Sequence, residues 1–419
     1  MDIWTQYQKY CNDLIYTDKD HKTVKVCVGL AGTFYFWRGE QQATRLAVAN
    51  CFERFQQLFG ERLKWVMPNE EISRGVVRFG GKKPVPSMRD YIAIMHPDDE
   101  LDWQFSGGNS VHEASDCYMA VLTTRQWEIK VRNPLSWLNF AMPVEAVYGP
   151  DGDPALFVDF VRYCCEQLTP WHGLAGLASL LPQDPDDSQA AEFDLQQRYF
   201  GLDVVTTTFS LMDHLQRHLK GANWLTIFDR EFPTTLSLDD WEALGRIPGI
   251  RLWRAGTAYV AQAGEQPMLG PVPDGIPPLY KAVSDALRPV RLTPMRSFHT
   301  GSMTGEIRFN GPTSELWASR FDAPGIWPPY PDQATTFHRV DATVDEYAAQ
   351  PAVELPQQPP AEPPRVRVLK AYPGQPCPRD GEWFSPYLKN TVRMTLGEPM
   401  PGPETTQRGA VVWYLREAE

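Results

Sequence analysis

Residues 23–36 read Thr-Val-Lys-Val-Cys-Val-Gly-Leu-Ala-Gly-Thr-Phe-Tyr-Phe. Val24, Val26 and Val28 stand two apart, and from Gly29 onward the run is apolar and aromatic. β-Branched residues at a period of two read as a strand, and the loss of polar alternation reads as a strand entering a core. This is expected to be a central strand. In residues 43–59, Leu46, Ala49, Phe52, Phe55, Leu58 and Phe59 recur at three- and four-residue steps, while Arg45, Glu53, Arg54 and Gln57 fall elsewhere. That spacing predicts an amphipathic helix packed by aromatics.

Outward from this pair, residues 63–66, 91–95, 118–122 and 135–144 are short apolar runs bounded by Gly, Pro or charged segments, and predict further strands. Residues 154–168 predict a helix, with Pro154 in its first turn and Leu156, Phe157, Phe160, Val161, Cys164 and Leu168 on one face. Residues 171–178, Trp-His-Gly-Leu-Ala-Gly-Leu-Ala, read as a small apolar segment allowing close backbone approach. Helical patterns follow at 191–200 and 209–219, and Ser237-Leu238-Asp239-Asp240 resembles a capping box ahead of Trp241. Residues 250–254 and 257–262 flank Ala255-Gly256 as a hairpin, and 277–287 reads as a closing helix. Residues 291–330 carry aromatics without steady periodicity and read as extended chain and loops. The expected fold is α+β, a mixed, largely antiparallel sheet with packed helices, plus a small C-terminal β module.

The domain boundaries follow from composition. Residues 341–364 hold five acidic residues, no basic ones and six prolines, which cannot form a core and predict an extended spacer. A main domain over 1–340, a Pro-rich acidic linker over 341–365 and a small module over 366–419 are expected, the last framed by strands at 366–371 and 410–415. The 419 residues contain no run long and apolar enough for a membrane span, and the start lacks a basic and apolar leader, so the expected compartment is the cytoplasm. Seven cysteines with no CxxC spacing fit a reducing environment. The net charge of -12 repels phosphate backbones, which argues against direct nucleic-acid binding and for basic partners.

Three groups carry candidate chemistry. His214 and His218 stand four apart beside Asp213, a spacing a metal can use on a helix, but without the HExxH glutamate or a third ligand nearby. Leu211, Leu215 and Leu219 claim the core stripe, so the histidines are expected to flank it. His96-Pro97-Asp98-Asp99-Glu100-Leu101-Asp102 gathers four carboxylates and a histidine, an acidic turn suited to a basic partner and lacking EF-hand spacing. Trp37, Trp103, Trp127, Trp327, Tyr330 and Trp383 stand in polar or Pro-rich stretches, where such rings can anchor protein interfaces. Neither Gly29-Leu30-Ala31-Gly32 nor Gly107-Gly108 matches a phosphate-binding loop, and there is no GxSxG. No catalytic residue, metal site or cofactor is expected.

The aromatic and glycine-rich run GLAGTFYFWRG, the 156–168 helix leading into WHGLAGLA, and GRIPGIRLWRAGTAYV together resemble the type VI secretion immunity family, first catalogued as a domain of unknown function. The tail Tyr372-Pro373-Gly374-Gln375-Pro376-Cys377-Pro378-Arg379-Asp380-Gly381-Glu382-Trp383, with Gly397-Glu398-Pro399-Met400-Pro401 and Val411-Val412-Trp413, is similar to a short Cys-Pro/Gly-x-Trp module at the ends of some polymorphic-toxin immunity proteins. The resemblance implies a bacterial cytoplasmic protein of interbacterial competition that neutralises a cognate effector toxin, a nuclease, by covering its active site. The family has no shared catalytic residues to carry over.

An acidic inhibitor complements the basic surface a nuclease offers to phosphate. Asp98, Asp99, Glu100, Asp102 and Trp103 are therefore the expected toxin-binding residues. The rival expectations are a metal-assisted hydrolase using His214 and His218, and an adaptor that loads an effector onto the secretion apparatus.

Overall fold

The computed structural model describes residues 2–18, 22–185, 188–205, 214–232, 238–299, 308–329, 370–385, 388, 390–403, 405–406, 409–411 and 413–416. The chain forms two compact units, Met1–Pro351 and Ala352–Glu419. The expected linker at 341–365 lies outside the described residues.

In chain order, the first unit's strands are β1 (Tyr16–Thr17), β2 (Val24–Phe36), β3 (Trp65–Met67), β4 (Val77–Arg78), β5 (Asp102–Ser106), β6 (Tyr118–Leu122), β7 (Ser136–Met142), β8 (His172–Leu180), β9 (Asp203–Val204), β10 (Leu225–Asp229), β11 (Ile250–Ala255) and β12 (Ala258–Ala263). Its helices are α1 (Ile3–Tyr10), α2 (Gln42–Phe59), α3 (Met88–Ile94), α4 (Gln126–Val131), α5 (Val144–Tyr148), α6 (Leu156–Leu168), α7 (Gln189–Gln196), α8 (Leu238–Gly245), α9 (Pro278–Leu287) and α10 (Gly311–Ala318). All twelve strands belong to one sheet, ordered β11-β12-β10-β8-β2-β7-β6-β5-β3-β4, with β1 on β2 and β9 on β8. Every pairing is antiparallel except β8 with β9, so the fold is α+β with a largely antiparallel sheet.

The stretch at 23–36 is the central strand, β2, paired to β7 on one side and β8 on the other. One face of the β5–β7 region is apolar because alternate residues point to it. Phe105, Met119, Val121, Leu138 and Phe140 are buried there. Phe52 of α2 meets Phe105 edge-on at 5.1 Å, and Phe160 of α6 meets Phe140 edge-on at 4.8 Å. Such T-shaped pairs add about 0.5–1.5 kcal/mol each beyond the area they bury. Gly32 makes room for this packing, since a Cβ there would lie 2.5 Å from the Phe140 ring.

Several sequence expectations need correction. Residues 91–94 form the end of helix α3, with Met95 as its C-cap, rather than a strand, because Ser87 caps the amide of Asp90 and so starts a helical turn. The Gly-rich run at 171–178 is most of strand β8 in the middle of the sheet. Gly173 permits this, as a Cβ there would stand 2.5 Å from the Thr33 carbonyl oxygen. The stretch expected to be loops at 291–330 contains α10, whose Trp317 packs edge-on against Phe298 at 5.0 Å. Asn310 caps α10 by accepting from the Thr313 amide at 3.0 Å. The hairpin β11–β12 turns at Gly256, which adopts a left-handed φ of 60°. Residues 209–213 of the pattern at 209–219, and Ser237 of the capping box, lie outside the described residues, and the described remainder is helical only at His214 and Leu215.

In the second unit, β13 (Lys370–Ala371), β14 (Gly381–Ser385), β15 (Asn390–Met394) and β18 (Trp413–Arg416) form a sheet in the order β13-β18-β14-β15, and β16 (Thr405–Thr406) pairs with β17 (Gly409–Ala410). Ala371, Cys377, Trp383, Met400, Val411 and Trp413 make its small core.

Candidate functional site

The acidic turn at 96–102 joins α3 to β5. Buried Arg45 of α2 donates to the carbonyl oxygens of His96 at 3.0 Å and of Asp99, which fixes the loop from behind. The four carboxylates then diverge. Asp99 closes the turn, accepting from the His96 amide at 2.6 Å. Glu100 is half-buried and paired with Arg125. Exposed Asp98 accepts from the backbone N–H of Trp127, the second residue of α4, at 3.1 Å. Asp102 opens β5 as an exposed residue, and partial desolvation of its carboxyl, reinforced by Glu100 and Glu70, pushes its pKa up to about 6. Among the described residues no three His, Cys, Asp or Glu side chains group as a metal site.

Trp103 must be withdrawn from the expected contact surface. It lies on the core face of β5, 1% exposed, with its ring 6.4 Å from Tyr91. The exposed aromatic beside the acidic turn is instead Trp127, 45% exposed, and Val131 one helical turn further along α4 is 72% exposed.

The opposite face of the same strands lines a cavity of about 350 Å³. Its floor follows from the register: Gln104, Ala120 and Asn139 lie in one row across β5, β6 and β7, with Trp65, Ser106 and Tyr118 in the row on one side and Asp102, Leu122 and Trp137 on the other. Ala120 supplies the depth because its flanking neighbours are longer. Among the described residues, Trp65 Nε1, Trp137 Nε1 and Asn139 Oδ1 have no hydrogen-bond partner. The Asp102-Trp103-Gln104-Phe105-Ser106 alternation is the signal for this polar face, whereas the sequence reading stops at the acidic turn, 96–102.

Beyond the floor, His299 of the lining and Ser179 of β8 both hydrogen-bond the wholly buried Glu192, on opposite carboxylate oxygens. Gln196 donates to Ser179 Oγ at 2.9 Å. A serine nucleophile needs its base within hydrogen-bond reach, and here the carboxylate stands between the two. This arrangement ties α7 to β8 and to the segment before α10.

The histidine pair does not form a metal site among the described residues, and Asp213 lies outside them. Helical residues end at Leu215, so the four-residue spacing no longer places both rings on one face. Arg296 donates to His214 Nε2 at 3.2 Å, using the lone pair a metal would need. Burial, then the neighbouring His214, lowers the pKa of His218.

Fold and site together define an α+β protein with an acidic turn and an exposed tryptophan side by side. A family model, TsiV, described as type VI immunity for VRR-NUC, matches residues 47–321, well over half of the chain, and the chain belongs to that family. The match ends before the second unit. Among solved structures, the Pseudomonas aeruginosa T6SS protein PA0821 shares the fold, with a TM-score of 0.67 at 24% identity, over 79% of this chain and 93% of its own. No curated protein matches. No helix among the described residues is long and apolar enough to cross a membrane.

Proposed function

We propose that this chain is a cytoplasmic immunity protein that binds a VRR-NUC effector nuclease one to one and covers its active site, without catalysing a reaction itself. The family match carries the reading. The surface chemistry supports it. A nuclease must be basic where it meets phosphate, and a protein of net charge -12 is drawn to that region and competes with nucleic acid there.

Asp98 and Trp127 are the proposed contacts at the acidic turn, Asp102 lies at its cavity end, and Asp99 and Glu100 hold the turn in shape. The main domain, 1–340, carries the binding, and the 341–365 spacer tethers the 366–419 module. Co-expression with the effector in a susceptible bacterium tests this: growth should be restored, and the two proteins should elute together. Continued killing with both proteins present at equal amounts would refute the reading.

A further inference from the structure

We propose that the cavity over β3, β5, β6 and β7 is a receptor for a single basic side chain, arginine or lysine, presented on a loop of the effector. This rests on the immunity reading and names the chemistry of one of its contacts.

Charge is the first argument. The lining includes Asp102 and Glu113, the latter accepting from Asn109 on both carboxylate oxygens, and no lysine or arginine. Residues 186–187, 206–213 and 300–307, which adjoin lining residues in sequence, contain no lysine or arginine either. Lys64 and Arg78 at the sheet's edge donate to Asn109 and do not line the cavity. Arg308 donates to Gln189 Oε1 at 2.7 Å and so stands behind one wall.

Shape and polarity are the second. Trp65, Tyr118 and Trp137 wall the space with rings whose faces attract cations. Asn139, a floor residue 5% exposed, has an Oδ1 without a hydrogen-bond partner among the described residues. The indole N–H groups of Trp65 and Trp137, without partners among the described residues, call for acceptors. A peptide loop supplies both halves, a cationic side chain for the carboxylates and amide, and carbonyl oxygens for the indoles. A bare cation supplies only the first. The volume of about 350 Å³ lies within the range of ligand sites.

Energetics give the third argument. Asp102 is exposed and lies beside Glu100 and Glu70, whose charges repel its own. An arriving guanidinium relieves that repulsion.

The test uses the full chain with isotope-labelled tryptophan and a capped Gly-Arg-Gly tripeptide, against the same peptide with neutral, isosteric citrulline. The arginine peptide should shift the indole resonances of Trp65 and Trp137 saturably, bind at least about tenfold more tightly than the citrulline peptide, and lose that preference in Asp102→Asn. Equal binding of the two peptides, or no shift at those two indoles, overturns the proposal. Calorimetry with an inactive VRR-NUC effector is the second arm. Asp102→Asn, and Ala120→Phe as a variant that fills the floor, should each weaken the complex at least about tenfold while circular dichroism stays unchanged. A wild-type complex that both folded variants match in affinity overturns the cavity and leaves immunity standing. Failure of the wild-type chain to bind the effector, with arginine selectivity intact, refutes immunity instead.

Discussion

The Asp98 carboxylate accepts the backbone N–H of Trp127 at 3.1 Å, so the acidic turn and the exposed indole of α4 are held as one surface. A charged group and an aromatic ring fixed side by side need little ordering on binding, which is the condition under which an interface tryptophan contributes most.

Trp127→Ala should therefore weaken the effector complex by at least about 2 kcal/mol, roughly thirtyfold. Stability should change by no more than about 0.5 kcal/mol, because the ring is 45% exposed. Paired calorimetry and urea unfolding check both, and an unchanged affinity removes α4 from the interface.

Phe140 contacts Phe34, Phe55, Phe157 and Phe160 across the sheet–helix layer. Phe140→Ala should cost about 3–5 kcal/mol of unfolding free energy. A loss below about 1 kcal/mol would contradict the packing described for this layer.

Lys220 and Asp203 form a buried ion pair at 2.8 Å, with the Lys220 ammonium also donating to the Val204 carbonyl oxygen. Burial lowers the lysine pKa even with Asp203 beside it. Lys220→Met alone should destabilise by about 3–5 kcal/mol, since it strands a buried carboxylate, and adding Asp203→Leu should recover most of that loss. Equal damage in the single and double variants would show that the charge is not the cause.

Two groups give opposite pH slopes. His172 is buried, its Nε2 lies 2.7 Å from the Leu215 carbonyl oxygen, and burial lowers its pKa to about 4. The folded state therefore resists protonation that the unfolded chain accepts. Stability should be intact above about pH 6.5 and fall toward pH 4, by about 3 kcal/mol in all. Asp102 is raised instead, so its contribution is present below pH 4 and lost as pH rises through about 6. Asp102→Asn should make the free protein more stable at neutral pH while weakening the complex. His172→Gln should flatten the acid limb, and an unaltered limb assigns it to other groups.

Legibility in the sequence tracked how local the determining interaction was. β2, α2, α6 and the β11–β12 hairpin were readable because their own residues repeat at the right period. β8 was not, because its glycines suppress strand propensity and only the close approach of β2 explains them. α10 was missed because its buried polar face, including Ser314, satisfies bonds to distant residues rather than a hydrophobic stripe. At the site, sequence proximity grouped Asp98, Asp99, Glu100 and Asp102, but their partners separated them. Trp103 and Trp127 both stand in polar surroundings, and only strand alternation against helix exposure tells which is buried. The two histidines matched a metal spacing that holds only if the helix continues past Leu215.

The most direct test of the central claim is a titration of this chain into a purified VRR-NUC nuclease while DNA cleavage is followed. Cleavage should fall linearly and vanish at one equivalent, and added salt should weaken the complex. Undiminished cleavage at several equivalents, with both proteins folded, would contradict it.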